Sequence, residues 1–313
     1  MFTLLRSLST HRKLIKEFVV RDLKARYVGS SMGFFWSVVV PILNLGVYMF
    51  VFRLVLNVRW GDDASEGRTA LVMLTGILVW SAFAETLSRA TNSLVENANM
   101  IQKVVFPSEI LAPYLTLSSL VNMAIGIPVV VIGTVVLGPS TETSKLNFAF
   151  QPENLSLCLL ALPVLMALQA VFTAGLGYLL SALNLFVRDI FHIIGVFTVV
   201  WMFATPIFYP DFMVDPDIWL ATFSPPVEAD FASAEEFADA TAQFYARMPK
   251  MDFGWMLALN PMYWLIECYR DILMYQQWPE LRFLLRYLAV ALALFWLGSS
   301  FFRRHKPTFP DLL

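Results

Sequence analysis

Long stretches without charge constrain this chain more than any other feature of its sequence. Residues 33–52 form the first of them, 20 residues without a charged side chain. At about 1.5 Å per residue, a helix of this length crosses a hydrocarbon core about 30 Å thick. A basic segment, FVVRDLKARYVGSS at residues 18–31, precedes it without a linker. The chain is therefore predicted to enter a bilayer directly from a cationic helix at the membrane surface.

The composition agrees with a membrane protein. Hydrophobic residues make up 58% of the chain and charged residues 15%, with a mean hydropathy of +0.64. Soluble domains carry about 25% charged residues. The net charge is −2, which does not indicate the basic surface that nucleic-acid binding requires. We expect no nucleic-acid partner.

Six membrane-spanning helices are predicted from the charge-free runs. They fall at 33–52, at 69–88, within 110–138, within 154–187, at 190–209 and at about 283–302. An even number of spans places both chain ends on the same side of the membrane. Both ends are rich in lysine and arginine, and such residues favour the cytoplasmic side. The predicted fold class is an all-α integral membrane protein with both termini in the cytoplasm.

The N-terminal segment is predicted to form an amphipathic helix. Apolar side chains recur along it at helical spacing, at Leu14, Ile15, Phe18, Val19 and Leu23. Lys13, Lys16 and Lys24 lie off this apolar stripe. Two interpretations are open: a plain membrane anchor attracted to anionic lipid, and a structural collar around a transport path.

Two further segments have patterns that point to particular roles. Residues 92–110, NSLVENANMIQKVVFPSEI, begin as a polar helix and end near Pro107, which suits docking of a cytoplasmic partner. Residues 259–274, LNPMYWLIECYRDILM, are too charged to be a span. We expect a helix that begins at Asn260 and Pro261 and dips back into the outer leaflet, where protein buries it.

Residues 210–254 form an acidic segment with a net charge of −7. Within it, Ser233 and Glu236 fit a capping box, in which each side chain binds the backbone amide of the other residue. Apolar residues that follow share one helical face. The segment is interpreted either as an ordered outer cap with a short amphipathic helix or as a solvated acidic loop.

Motifs for catalysis or for nucleotide and metal binding are missing from the sequence. It contains no GxxxxGK[ST] phosphate-binding loop and no HExxH, GxSxG or zinc-ligand spacing. Cys158 and Cys268 lie far apart and are predicted to be small buried hydrophobic residues. We expect no catalytic residue, cofactor or metal in this chain.

Four stretches carry a family resemblance. They are RDLKARYVGSSMGFFWSVVVPILN, ENANMIQKVVFPSEI, RDIFHIIGVFTVVWMFATPIFYP and NPMYWLIECYRDILM, starting at residues 21, 96, 188 and 260. In order and spacing they resemble the signature stretches of type-2 ABC exporter permeases that move polysaccharides such as O-antigen, capsule and teichoic acid. The acidic segment 210–254 departs from this pattern, because it is longer than the connection usual in that group.

The resemblance implies a division of the chain and a set of sites. The regions are an interfacial helix at 1–32, spans 1–5 at 33–209 with a coupling helix at 89–109, the periplasmic insertion 210–254, re-entrant gate helices at 255–282, and span 6 with a cytoplasmic tail at 283–313. The implied site residues are Arg21, Asp22, Arg26 and Tyr27 at the cytoplasmic entrance; Asn92, Glu96, Asn97, Gln102 and Lys103 for ATPase coupling; Phe34, Phe35, Trp36, Tyr48, Trp201 and Phe208 as channel aromatics; and Asn260, Pro261, Trp264, Glu267 and Arg270 at the outer gate.

The resemblance also implies partners. A separate ABC ATPase subunit, in two copies, would bind ATP and Mg²⁺. The chain would form a homodimer in the bacterial inner membrane, since six spans are too few to enclose a polymer. Its substrate would be a lipid-linked polysaccharide.

Two other functions remain open. A drug or small-lipid exporter permease of the same superfamily is disfavoured by the basic helix fused to the first span and by the sequence FFWSVVVP. A membrane-embedded transferase acting on lipid-linked sugars is disfavoured because no acid, histidine or metal-ligand cluster is apparent near a membrane face.

Overall fold

The computed structural model describes residues 2–26, 35–51, 66–103, 106–137, 157–222, 225–226, 233–247 and 252–313, and it is helical throughout these segments apart from turns. The helices are α1 (Phe2–Thr10), α2 (Arg12–Ala25), α3 (Trp36–Tyr48), α4 (Glu66–Glu96), α5 (Ala98–Lys103), α6 (Leu111–Leu137), α7 (Leu162–Phe186), α8 (Ile190–Phe203), α9 (Pro216–Thr222), α10 (Ala234–Arg247), α11 (Gly254–Leu259), α12 (Pro261–Leu273), α13 (Leu281–His305) and α14 (Phe309–Leu312). The all-α prediction is confirmed for this part of the chain.

Within the described residues, four helical segments are long and apolar enough to cross a membrane. They are Thr69–Glu96, Ser108–Val136, Leu157–Phe186 and Leu281–Leu312, and they match the second, third, fourth and sixth predicted spans. Two shorter apolar segments, Trp36–Val51 and Ile190–Phe203, lie at the first and fifth predicted spans. At about 24 and 21 Å long they fall short of a 30 Å hydrocarbon core.

The fifth predicted span is short because proline stops its helix. The helix α8 ends at Phe203, and Pro206 and Pro210 follow. Proline lacks an amide hydrogen and disfavours a helical residue before it. The predicted span 190–209 therefore becomes a helix followed by a buried turn, in which Thr205, Pro206 and Ile207 are enclosed.

The helix α4 is the centre of the bundle. It packs against α3, α6, α7, α8 and α12. The helices α7 and α13 also pack closely against each other, and they meet at Gly175 and Gly298. A Cβ atom on Gly298 would stand 2.0 Å from the carbonyl oxygen of Gly175. Only glycine at these positions lets the two backbones approach so closely.

The remaining helices gather at the two ends of this bundle. At one end, here named the α2 end, α1, α2, α5 and α14 surround the last turns of α4 and the first turns of α6. At the other, here named the α12 end, α12 packs among α4, α6, α7 and α13. Cys158 and Cys268 are both buried, as the sequence predicts.

The apolar stripe of α2 faces protein. Ile15 and Phe18 are buried against Ile110 and its neighbours at the start of α6. The Phe18 ring lies 5.9 Å from the ring of Phe106 and 5.1 Å from that of Tyr114. This packing favours the collar interpretation of the N-terminal helix over a plain lipid anchor.

The acidic segment contains the helix that its capping box predicts. The amide of Glu236 donates to the Ser233 hydroxyl at 3.2 Å, and α10 follows. The base of the segment is closed by a hydrogen bond from the Phe253 amide to the Val214 carbonyl, 2.9 Å long. The long insertion therefore leaves and rejoins the bundle at one place.

Candidate functional site

Four charged side chains meet at the α2 end and are named here the charge network: Asp22, Arg26, Glu85 and Arg89. The guanidinium of Arg89 donates to Asp22 Oδ2 and to Glu85 Oε1, each at 3.1 Å. Arg26 pairs with the same two carboxylates, its Nη2 lying 3.3 Å from Asp22 Oδ2. The hydroxyl of Ser118 also donates to Asp22. The charge network thus joins α2, α4 and α6.

Asp22 is ionised within this network. Partial burial raises the pKa of its carboxyl, but hydrogen bonds from Arg89 and Ser118, together with the positive charges of Arg89 and Arg26, lower it more. The net pKa lies below the ordinary value of 3.8. The carboxylate therefore carries its charge throughout the neutral range.

The predicted entrance residues do not all share this network. Asp22 and Arg26 are in it. Arg21 is exposed and places its guanidinium 4.3 Å from the centre of the Phe18 ring. Tyr27 lies outside the described residues.

The predicted coupling segment is divided by a turn at Asn97. The helix α4 continues through Asn92 to Glu96, and the Asn92 amide donates to the Glu96 carboxylate at 2.9 Å. The Asn97 side chain then donates to the Ser93 carbonyl at 2.7 Å, satisfying one of the carbonyls exposed at the helix end. Asn92 and Glu96 therefore belong to the last turns of a long helix, and the separate short helix α5 covers only Ala98–Lys103.

The surface of this segment is open. The helix α5 has no buried side chain, and Glu96, Gln102 and Lys103 are exposed. It follows directly on the tip of α4, the central helix of the bundle.

The C-terminal tail packs beside α5. Phe309 is buried, with its ring 5.0 Å from that of Phe302 in α13. Lys306 Nζ pairs with Glu109 Oε1 at 2.5 Å, and the Tyr178 hydroxyl donates to the Glu109 carbonyl at 2.6 Å. These contacts tie the end of the chain to the segment that follows α5.

The predicted channel aromatics fall into two groups. The ring centres of Tyr48 and Phe208 are 6.4 Å apart, and those of Phe208 and Phe203 are 6.0 Å apart. Trp201 stacks edge-on against Trp80 and Phe83 of α4, at 5.9 and 5.3 Å. Phe35 and Trp36 instead lie partly exposed at the opposite end of α3, about 18 Å from Tyr48 along the axis. Phe34 lies outside the described residues.

Asn260 joins α12 to the end of α8. Its Oδ1 accepts from the amides of Met262 and Tyr263 at 3.0 and 3.4 Å, which caps α12. The same oxygen accepts from the indole of Trp201 at 2.9 Å, and Nδ2 donates to the Thr205 hydroxyl at 2.8 Å. Pro261 occupies the first turn, so the predicted helix start is confirmed.

Arg270 is the most enclosed charge at the α12 end. Its Nη1 donates to Glu267 Oε1 at 2.6 Å, and its Nη2 donates to the Pro206 carbonyl at 2.8 Å. Gly76 of α4 leaves room for this guanidinium, because a Cβ there would stand 3.3 Å from Nη2. Trp264 is buried in the main core on the same helix.

The helix α12 reaches well into the bundle. The Tyr269 hydroxyl donates to Gln169 Oε1 at 3.0 Å, and Gln169 Nε2 donates to the Val79 carbonyl at 3.2 Å. Gln169 is the eighth residue of α7 and Gly76 the eleventh of α4. At 1.5 Å per residue, these contacts lie about 11–15 Å inside the helix ends.

Comparison with known proteins gives this arrangement a family. Residues 13–227 match the family described as ABC-2 type transporter, from α2 to within the acidic insertion. The chain belongs to the ABC-2 type transporter family. It is accordingly a multi-pass membrane subunit of an ABC transporter, and its partner is an ATPase subunit.

Two relatives of this ABC-2 transporter chain carry the same name. The O-antigen export system permease protein RfbA of Myxococcus xanthus is 27% identical over 311 residues, covering 99% of each chain. A protein of that name from Klebsiella pneumoniae is 27% identical over 225 residues, 72% of this chain and 80% of its own.

Several residues of the ABC-2 transporter chain were not singled out by the sequence. Two of the partners of Asp22, Arg89 and Ser118, are distant from it in sequence. A signal was present in Glu85 and Arg89, an i,i+4 pair at the end of an apolar run. Nothing in the sequence pairs Gln169 with Tyr269, because both look like ordinary polar groups within apolar helices.

Proposed function

We propose that this chain is the permease subunit of an exporter of lipid-linked polysaccharide, powered by ATP hydrolysis in a separate ATPase. The observation that carries the proposal is the match to an O-antigen export permease across 99% of both chains. The lack of a phosphate-binding loop agrees with ATP and Mg²⁺ being held by the partner. We place the complex in the bacterial inner membrane, with both chain ends in the cytoplasm.

We infer that the partner ATPase docks at the α2 end. The support is the exposed helix α5 at the tip of α4. From Glu96, α4 runs unbroken past the charge network and on to Gly76, beside Arg270. A push on α5 would therefore be transmitted along one rigid helix. We expect the charge network, which is only partly buried, to be where α2 shifts against α4.

We propose that the chain forms a homodimer that binds two ATPase subunits. The surfaces of α3 and α8 support the dimer. Only Ile194 of α8 is buried, and large apolar side chains such as Val196 and Phe203 are exposed. Gly46 on α3 and Gly195 on α8 each have open space where a Cβ would be. Small residues on such faces let a second helix approach closely. We propose that these faces, with the aromatics Tyr48, Trp201 and Phe208, border a path between the two copies.

The shorter segments complete the proposal. Six spans are retained, with α3 and α8 as the two short ones. The helices α11 and α12 form the re-entrant outer segment, because α12 lies about 11–15 Å inside the ends of α4 and α7. The residues 210–254 project from it as an acidic periplasmic insertion.

The test is loss of the chain in cells. Deletion should leave the glycan attached to its lipid carrier inside the inner membrane and remove it from the cell surface, and a plasmid copy should restore export. The chain should also copurify with an ATPase. Normal surface glycan without the chain would overturn the proposed function.

A further inference from the structure

A cavity of about 230 Å³ lies between α3, α4 and α6, next to the charge network. Its polar lining comes from all three helices: Ser37, Asn44, Ser81, Glu85, Ser119 and Asn122. The rest of the lining is apolar, with Trp36 at one edge and partly exposed. A few convergent polar groups in a mostly apolar cavity are typical of a small-molecule site.

One hydroxyl in this cavity lacks the partner that similar groups have. Thr75, Thr86 and Thr116 each donate to the carbonyl four residues earlier in their own helix. Ser119 is 1% exposed, yet its hydroxyl has no hydrogen-bond partner among the described residues. A buried hydroxyl without a partner costs about 1–3 kcal/mol. A ligand in the cavity would remove this cost.

We propose that the cavity binds a single neutral sugar ring. Hydroxyl and amide groups such as Ser119 and Asn122 suit the hydroxyl edge of a sugar, and the Trp36 indole suits its apolar face. The volume is below the roughly 300–1,000 Å³ typical of sites for drug-sized ligands, so it suits one ring rather than an oligosaccharide.

Charge argues against a phosphate in the same place. Among the residues that the structure describes, the charged group lining the cavity is the Glu85 carboxylate, whose Oε1 is engaged by Arg26 and Arg89. The two arginines are therefore occupied by carboxylates, and a phosphate would face a negative charge. The sugar identity rests on the proposed function, since a lipid-linked glycan offers such rings beside the membrane.

The helices that line the cavity also make one tight contact beside it. Gly126 is one turn beyond Asn122 on α6, and a Cβ there would stand 2.8 Å from Leu78 and 3.5 Å from Pro41. The three helices therefore come into close contact at this level of the cavity.

The test measures binding of radiolabelled octyl glucoside to the full permease–ATPase complex in nanodiscs, corrected with empty nanodiscs. We expect a saturable component that unlabelled octyl glucoside displaces and octyl phosphocholine, with the same alkyl chain, does not. Ser119→Ala should weaken this binding about fivefold, the loss of one hydrogen bond. Asn44→Leu, from a different helix, should weaken it similarly.

Thr116→Val is the matched control, because it removes a buried hydroxyl that donates within its own helix. It should leave binding unchanged. Ser119→Ala should also unfold at the same temperature as the wild type or a higher one, which excludes misfolding as the cause of weaker binding.

Three results would overturn the inference: no saturable component, equal displacement by octyl phosphocholine, or unchanged binding in Ser119→Ala. Each leaves the proposed function intact if cells still depend on the chain for glycan export. Saturable sugar binding with export unaffected by loss of the chain would instead contradict the proposed function alone.

Discussion

At the α2 end, the side chains of Asp22, Arg26, Glu85 and Arg89 keep 14%, 20%, 29% and 34% of their surface exposed while they join three helices. At the α12 end, the single side chain of Arg270, 1% exposed, binds Glu267 and the Pro206 carbonyl. Partly solvated ion pairs exchange partners at small cost, whereas a buried charge that loses its partner is costly. We therefore expect the α2 end to rearrange and the α12 end to keep its packing within the protomer.

The largest effect is expected from Arg270→Ala. The substitution leaves Glu267 without its ion-pair partner and the Pro206 carbonyl without its donor, which should destabilise the protein by about 3–5 kcal/mol. Thermal unfolding in detergent, with folded yield after gel filtration, measures this. Arg282→Ala removes an exposed pair with Glu280 and should change stability by less than about 1 kcal/mol. Similar results for both variants would mean that burial of Arg270 adds no stability at the α12 end.

Asn260→Ala should have the next largest effect. It removes the cap of α12 and leaves the Trp201 indole without its acceptor, a loss of about 2–4 kcal/mol. Asn260→Asp keeps the acceptor oxygen for both contacts and should unfold at an intermediate temperature. If Asp and Ala destabilise equally, the cap oxygen is not what holds α12 to α8.

Arg89→Ala should separate stability from activity. The stability loss should be about 1 kcal/mol, because the network is partly solvated. Export should fall roughly 2- to 30-fold, since coupling residues typically contribute 0.5–2 kcal/mol. Surface glycan per unit of folded permease is the measurement, with Arg304→Ala, exposed near the end of α13, as the control. Export that falls only in proportion to folded protein would argue against a coupling role.

The smallest effect concerns pH. Because the pKa of Asp22 is lowered on folding, its stabilising contribution is present above the unfolded pKa and is lost as pH falls through the folded pKa, below 3.8. The difference in unfolding temperature between wild type and Asp22→Asn should therefore be constant from pH 5.5 to pH 8. A difference that changes across this range would mean that another group in the network titrates.

Much of this could be predicted from sequence because it depends on local patterns. Charge-free runs located the four long helices, helical spacing gave the stripe of Ile15 and Phe18, and the Asn260 and Pro261 pair marked the start of α12. Even so, α8 ends early because prolines follow it, and a search for charge-free runs does not detect prolines.

The rest depends on contacts between residues far apart in the chain. Asp22 accepts a hydrogen bond from Ser118. Thr134 donates to the Leu273 carbonyl at 3.1 Å. Neither pairing has a sequence signature. The cavity that contains Ser119 likewise exists only because three helices converge. Tertiary packing, and not helix propensity, creates these sites.

The most direct test of the account is the distance change at each end when nucleotide binds. Spin labels at Lys16 and Arg304 report on the α2 end, and labels at Leu157 and Leu259 report on the α12 end; all four positions are exposed. With labelled protomers diluted in unlabelled ones, electron–electron resonance compares the nucleotide-free complex with one trapped by ATP and vanadate. We predict a shift of about 2 Å or more at the α2 end and none at the α12 end. A shift confined to the Leu157–Leu259 pair would contradict the account.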